Sequence, residues 1–86
     1  MGTTILVVDD DVDSLKLISL MLQRQGHEVI SADSGLRAIE KASAEQPDLI
    51  ILDVMMPDMD GYQVCRQLRS ESRTRDIPII MFTAKT

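Results

Sequence analysis

The sequence predicts an α/β fold: a parallel, doubly wound sheet with helices on both faces. Three observations lead there. Four short apolar runs alternate with three stretches of helical hydrophobic spacing, the rhythm of βαβ units. The runs are apolar at almost every position, as strands buried on both faces are. Two of them end in carboxylates, Asp9-Asp10-Asp11 and Asp53, at the strand ends where such sheets collect their ligands.

Ile5-Leu6-Val7-Val8 is the first strand, with an acidic tip. From Val12 the spacing turns helical, with Leu15, Ile18 and Leu22 on one stripe, Met21 beside it, and Lys16, Gln23 and Arg24 off it. Asp11 is placed to cap this helix, and Gly26 to end it as the residue after the C-cap. A second strand covers 28–32. Ser34 can cap a second helix carrying Leu36, Ile39 and Ala42 inward until Pro47 interrupts. Leu49-Ile50-Ile51-Leu52 repeats the first pattern and ends at Asp53. Met56-Pro57-Asp58-Met59-Asp60-Gly61 has the Pro, Asp and Gly of a tight loop. A third helix follows from about Tyr62 to Ser70, with Val64, Cys65 and Leu68 inward. The polar stretch 70–76 breaks the pattern, and a fourth strand over 77–82 ends at Thr83, with Pro78 near its start where a missing N–H is tolerated.

The chain has 86 residues and shows no internal linker, so 1–86 is expected to be a single domain. Hydrophobic residues at 44% and charged residues at 27% can build a core. One Phe, one Tyr and no Trp make that core aliphatic and disfavour functions built on stacked aromatics. Nine basic against 14 acidic residues, net −5, argue against direct nucleic-acid or anionic-membrane contact. The lone Cys65 makes no internal disulfide and points to a reducing compartment, with the cytoplasm expected. No apolar run nears the roughly 20 residues that span a bilayer. Arg66, Arg69, Arg73 and Arg75 are interspersed with Glu71 and Asp76 and read as a solvated helix end.

The acidic residues require an explanation. Two unit charges ~4 Å apart repel by about 4 kcal/mol at an effective dielectric near ~20, so carboxylates at neighbouring strand tips need an offset. A hard divalent cation supplies one, and Mg²⁺ suits one or two carboxylates, a backbone carbonyl and retained waters. For Asp9 or Asp10 to share an ion with Asp53, the first and third strands must be adjacent. With right-handed crossovers the strand order becomes 2-1-3-4. Taken singly, Asp11 reads as a cap, Asp53 could be a plain loop residue, and Thr83 at a strand end means nothing; the set carries the specificity.

The segments ILVVDD (5–10), LIILDVMMPDMDG (49–61) and PIIMFTA (78–84) resemble the three signature segments of response-regulator receiver domains, the phosphorylatable modules of two-component signalling. The resemblance spans essentially the whole chain. It implies a flavodoxin-like fold and a phosphoacceptor role for Asp53. It also implies that Asp9 and Asp10 position Mg²⁺, with Asp53 and the Met55 backbone carbonyl completing the metal set. Thr83 matches the hydroxyl that contacts the phosphoryl group and drives the switch, and Ala84 the small residue that leaves room for it. The implied partners are a sensor histidine kinase or phosphotransfer protein and an output domain or downstream effector. The domain would catalyse only its own phosphorylation and dephosphorylation.

The chain departs from the family pattern after the fourth strand, where the fifth strand and last helices would follow. With them would come a lysine that pairs with the phosphoryl group; Lys85 matches instead a variable position near the switch Thr. Ending there would leave the fourth strand as an apolar edge, so self-association through it, or dependence on further residues, is expected. Two other functions stay open: a receiver-like docking or dimerising module without phosphotransfer, and a dehalogenase-type phosphatase using Asp9-Asp10-Asp11.

Overall fold

A computed structural model describes residues 2–83. Seven elements alternate along the chain: β1 (Thr4–Val8), α1 (Val12–Arg24), β2 (Glu28–Ala32), α2 (Gly35–Glu45), β3 (Leu49–Asp53), α3 (Gly61–Ser70) and β4 (Ile79–Phe82). All strand pairs are parallel and the order is β2-β1-β3-β4, as the carboxylate chemistry requires. β1 lies inside because Ile5, Leu6, Val7 and Val8 are all buried and tolerate cover on both faces. Successive strand residues face opposite sides. Leu6 and Val8 therefore join Ile50, Leu52, Ala38, Ala42, Val64 and Leu68 in the main cluster beneath α2 and α3, while Ile5 and Val7 turn to the side of α1.

The helix boundaries follow local chemistry. Asp11 caps α1 by accepting the Asp13 N–H, and Gly26 takes φ 92° just beyond the Gln25 C-cap. Ser34 caps α2 by accepting the Arg37 N–H at 3.2 Å. α3 begins at Gly61, one residue before the expected start. Asp60 is its N-cap, and a reciprocal bond between the Asp60 N–H and Gln63 Oε1 completes a capping box.

The structure corrects three expectations and bears out the α1 stripe. Leu36 is 60% exposed: α2 buries Gly35, Ala38 and Ala42, and Leu36 lies about 100° around the helix from Gly35, off that stripe. No residue of α1 is fully buried; Leu15, Ile18 and Leu22 are half-buried, as the spacing indicates, with Ser14 and Ser19 beside them. β4 starts at Ile79, because Ile77 belongs to the preceding turn, where its N–H donates to the Thr74 carbonyl and its side chain still reaches the core. The arginines are not simply solvated. Arg69 Nη1 donates to the carbonyls of Arg75 and Ile77 at 2.6 and 2.7 Å, and Arg73 donates to the Ser43 carbonyl, pinning the α3–β4 connection to the ends of α3 and α2. Buried Thr74 secures the same turn through the Leu68 carbonyl.

Candidate functional site

The site forms because two strands far apart in sequence are neighbours in the sheet. β1 and β3 pair with Val8 opposite Leu52, so the residues that follow, Asp9 and Asp53, emerge at one carboxyl edge. The Asp9 N–H extends the ladder by donating to the Ala32 carbonyl at 3.1 Å. Asp9 is 1% and Asp53 0% exposed, and Asp10 is half-buried. One carboxylate oxygen from each of Asp9, Asp10 and Asp53 lies within 4.8 Å of the others. Asp9 Oδ1 accepts the Asp11 N–H at 3.0 Å, and Asp53 Oδ1 accepts the Met55 N–H at 3.1 Å.

The loop from β3 to α3 is braced in three places. The bond from Met55 to Asp53 holds its start. At its end the Gly61 N–H donates to the Val54 carbonyl at 2.9 Å, and a Cβ on Gly61 would meet the Asp53 carbonyl oxygen at 2.8 Å, so only glycine lets α3 begin this close to the acidic strand tip. In the middle, Asp58 reaches to the first turn of α2 and accepts the N–H groups of Gly35 and Leu36 at 3.1 and 3.2 Å. Desolvation works to raise the Asp58 carboxyl, but the N–H groups of Gly35 and Leu36, with local backbone help, outweigh it and hold the group below its ordinary value.

Of the expected site residues, Asp9, Asp10 and Asp53 come together in one cluster. Met55 lies two residues beyond Asp53 with its side chain 53% exposed. Thr83 follows Phe82, the register partner of Asp53, and sits at the same edge of the sheet with its side chain exposed. Ala84 lies outside the described residues, as does Lys85. Sequence reasoning missed the reach of Asp58, which it treated as a loop former; a contact 23 residues away leaves no local signal. It also missed the buried Thr74.

A doubly wound parallel sheet in the flavodoxin-like order, with an acidic cluster at the carboxyl edge of adjacent strands, defines the class of this protein. The chain belongs to the response regulator receiver domain family, whose pattern matches residues 5–86. It is 48% identical over 85 residues to the alkaline phosphatase synthesis transcriptional regulatory protein PhoP of Bacillus subtilis, covering 99% of this chain and 35% of that protein. The chain thus spans about a third of the length of that relative. The N-terminal domain of a response regulator receiver protein from Methanoculleus marisnigri superposes with a TM-score of 0.93 at 43% identity, covering 96% of this chain and 68% of that one. The receiver domain of a Pseudomonas aeruginosa sensor histidine kinase, solved with a magnesium ion in its active-site cleft, gives 0.92 at 33% identity, covering 99% and 70%. Receiver domains are signalling modules rather than conventional enzymes. Among the described residues no helix is long and apolar enough to cross a membrane.

Proposed function

We propose that this chain is a phosphoacceptor switch that takes a phosphoryl group on Asp53 from a phosphohistidine of a sensor kinase or phosphotransfer protein. The observation that carries the reading is the convergence of three carboxylates within 4.8 Å, two of them almost wholly buried. Like charges this close repel one another, and a cation among them would offset that repulsion. The hard oxygen donors of this set suit Mg²⁺, to be held by Asp9, Asp10, Asp53 and the backbone carbonyl of Met55. When bound, the ion supplies neutralisation of charge on the transferring phosphoryl oxygens.

The remaining chemistry belongs to the chain and its partner. An Asp53 carboxylate oxygen attacks phosphorus, forming an O–P bond as the P–N bond breaks. The electron pair of that bond stays on the imidazole nitrogen, which takes up a proton from solvent. A carboxylate nucleophile needs no base to activate it. The Met55 N–H bond to Oδ1 orients the carboxylate before attack. Thr83 then donates its hydroxyl to a phosphoryl oxygen, with Ala84 leaving room, and the shift of Thr83 carries the change to the surface. Water later hydrolyses the acyl phosphate and restores Asp53. Any contact with DNA would fall to an output domain beyond the matched third, since this segment's net charge is −5.

Acetyl phosphate with Mg²⁺, applied to the intact protein and followed by mass spectrometry, tests this. The expected result is one added phosphoryl group, lost in Asp53→Ala. A phosphoryl group mapped to Asp9 would favour the phosphatase reading, and no labelling at saturating Mg²⁺ a docking module.

A further inference from the structure

We propose that Asp58 is a positioning residue for the metal site, tethering the β3–α3 loop to the first turn of α2 so that the Met55 carbonyl is held where Mg²⁺ needs it. This rests on the phosphoacceptor reading above and adds a residue to it.

The tether is two-pronged. Asp58 Oδ1 and Oδ2 each accept a backbone N–H, from Gly35 and Leu36, which are among the donors a helix start leaves without intrahelical partners. Serving the first turn of α2 falls to two side chains from different segments: Ser34 takes the Arg37 N–H, and Asp58, 23 residues from Gly35, takes the two before it. The loop is also pressed against that turn. A Cβ on Gly35 would lie 2.8 Å from Met59 Cβ and 2.9 Å from Val64 Cγ2, so the missing side chain is what admits the loop and α3 so closely. Met56 anchors the same loop in the core at 8% exposure. Met55 lies between its own bond to Asp53 on one side and, on the other, buried Met56 followed by the Asp58 tether. The low-lying Asp58 carboxyl agrees with this, since it accepts these N–H groups as a carboxylate.

A residue that acts on a ligand by holding its backbone should affect metal affinity, as groups hydrogen-bonded behind metal ligands do, by roughly tenfold or more. Helix capping alone should not. The Ser34→Ala variant makes the distinction, because it weakens the same end of α2 while leaving the loop tied. In the intact protein, Mg²⁺ titrations by calorimetry and amide hydrogen exchange of residues 54–59 without metal are measured for wild type, Asp58→Ala, Asp58→Asn and Ser34→Ala. Asp58→Ala is expected to weaken Mg²⁺ binding by roughly tenfold and to speed exchange in the loop. Asp58→Asn, which keeps one acceptor oxygen, should fall between. Ser34→Ala should lower Tm yet keep both affinity and loop protection. Wild-type affinity and exchange in both Asp58 variants would overturn the tether, and an equal loss of affinity in Ser34→Ala would reduce Asp58 to a helix cap. A wild type that binds no Mg²⁺ would overturn the phosphoacceptor reading and this metal role with it, whereas normal wild-type binding with unaffected Asp58 variants overturns this inference alone.

Discussion

Single residues at the acidic edge work through very short distances. Gly61 shows this most directly, since its α-carbon stands where a methyl group would collide with the Asp53 carbonyl oxygen at 2.8 Å and the Val54 Cα at 2.9 Å. Alanine is the better helix former, so propensity favours Gly61→Ala; the clash is with backbone and wins, because overpacking against an unyielding neighbour costs about 1–3 kcal/mol. Urea unfolding of Gly61→Ala should therefore show a lower midpoint at an unchanged slope, and an unchanged midpoint would mean that α3 can shift away from β3. The glycine was visible in the sequence as part of a Pro-Asp-Gly loop, but its function there was not. A loop glycine is usually explained by backbone freedom, and this one is required by proximity to a strand end that only the tertiary structure brings near.

At the scale of elements, the strands and caps were legible because their signals are local. Asp11, Ser34 and Gly26 occupy the cap positions that short-range hydrogen bonding dictates. The orientation of α2 was not legible. Leu36 reads as a core residue by type, yet α2 approaches α3 and the sheet on its Gly35, Ala38 and Ala42 side, where small residues allow close packing. The consequence is measurable. Leu36→Gln should change stability by less than ~0.5 kcal/mol, as surface substitutions do. Leu68→Ala, at a fully buried position of α3, should cost about 2–5 kcal/mol. A large loss in Leu36→Gln would show that its side chain is covered in solution.

For the whole molecule, cover of β4 is unequal on its two faces. Ile79 and Met81 pack against the main cluster, whereas Ile80, which turns to the other face of the sheet, is 55% exposed. β4 forms one edge of the described sheet and carries no charged residue, while natural edges are normally blunted by charge, bulge or cover. Each aliphatic side chain left in water forgoes roughly 1.5–3 kcal/mol of burial. The 86-residue polypeptide studied in isolation is therefore expected to pair through this edge with another copy, to exchange elements between copies, or to need further residues for its order. Sedimentation checks this, and a cooperatively melting monomer would contradict it.

By itself the sequence determined the alternation of strands and helices, the parallel sheet, the caps and the three carboxylates at strand tips. Each of these is written in residues close together along the chain, where periodicity and capping chemistry operate. It even constrained the strand order, since Asp9 and Asp53 can share an ion only if their strands are neighbours. Tertiary structure decided which face of α2 is buried, that Arg69 and Arg73 pin a turn rather than hydrate a helix end, that Gly61 is a contact glycine, and that Asp58 reaches Gly35 and Leu36. These depend on how whole elements approach one another in space, and a contact between residues 23 positions apart has no periodicity for a sequence to display.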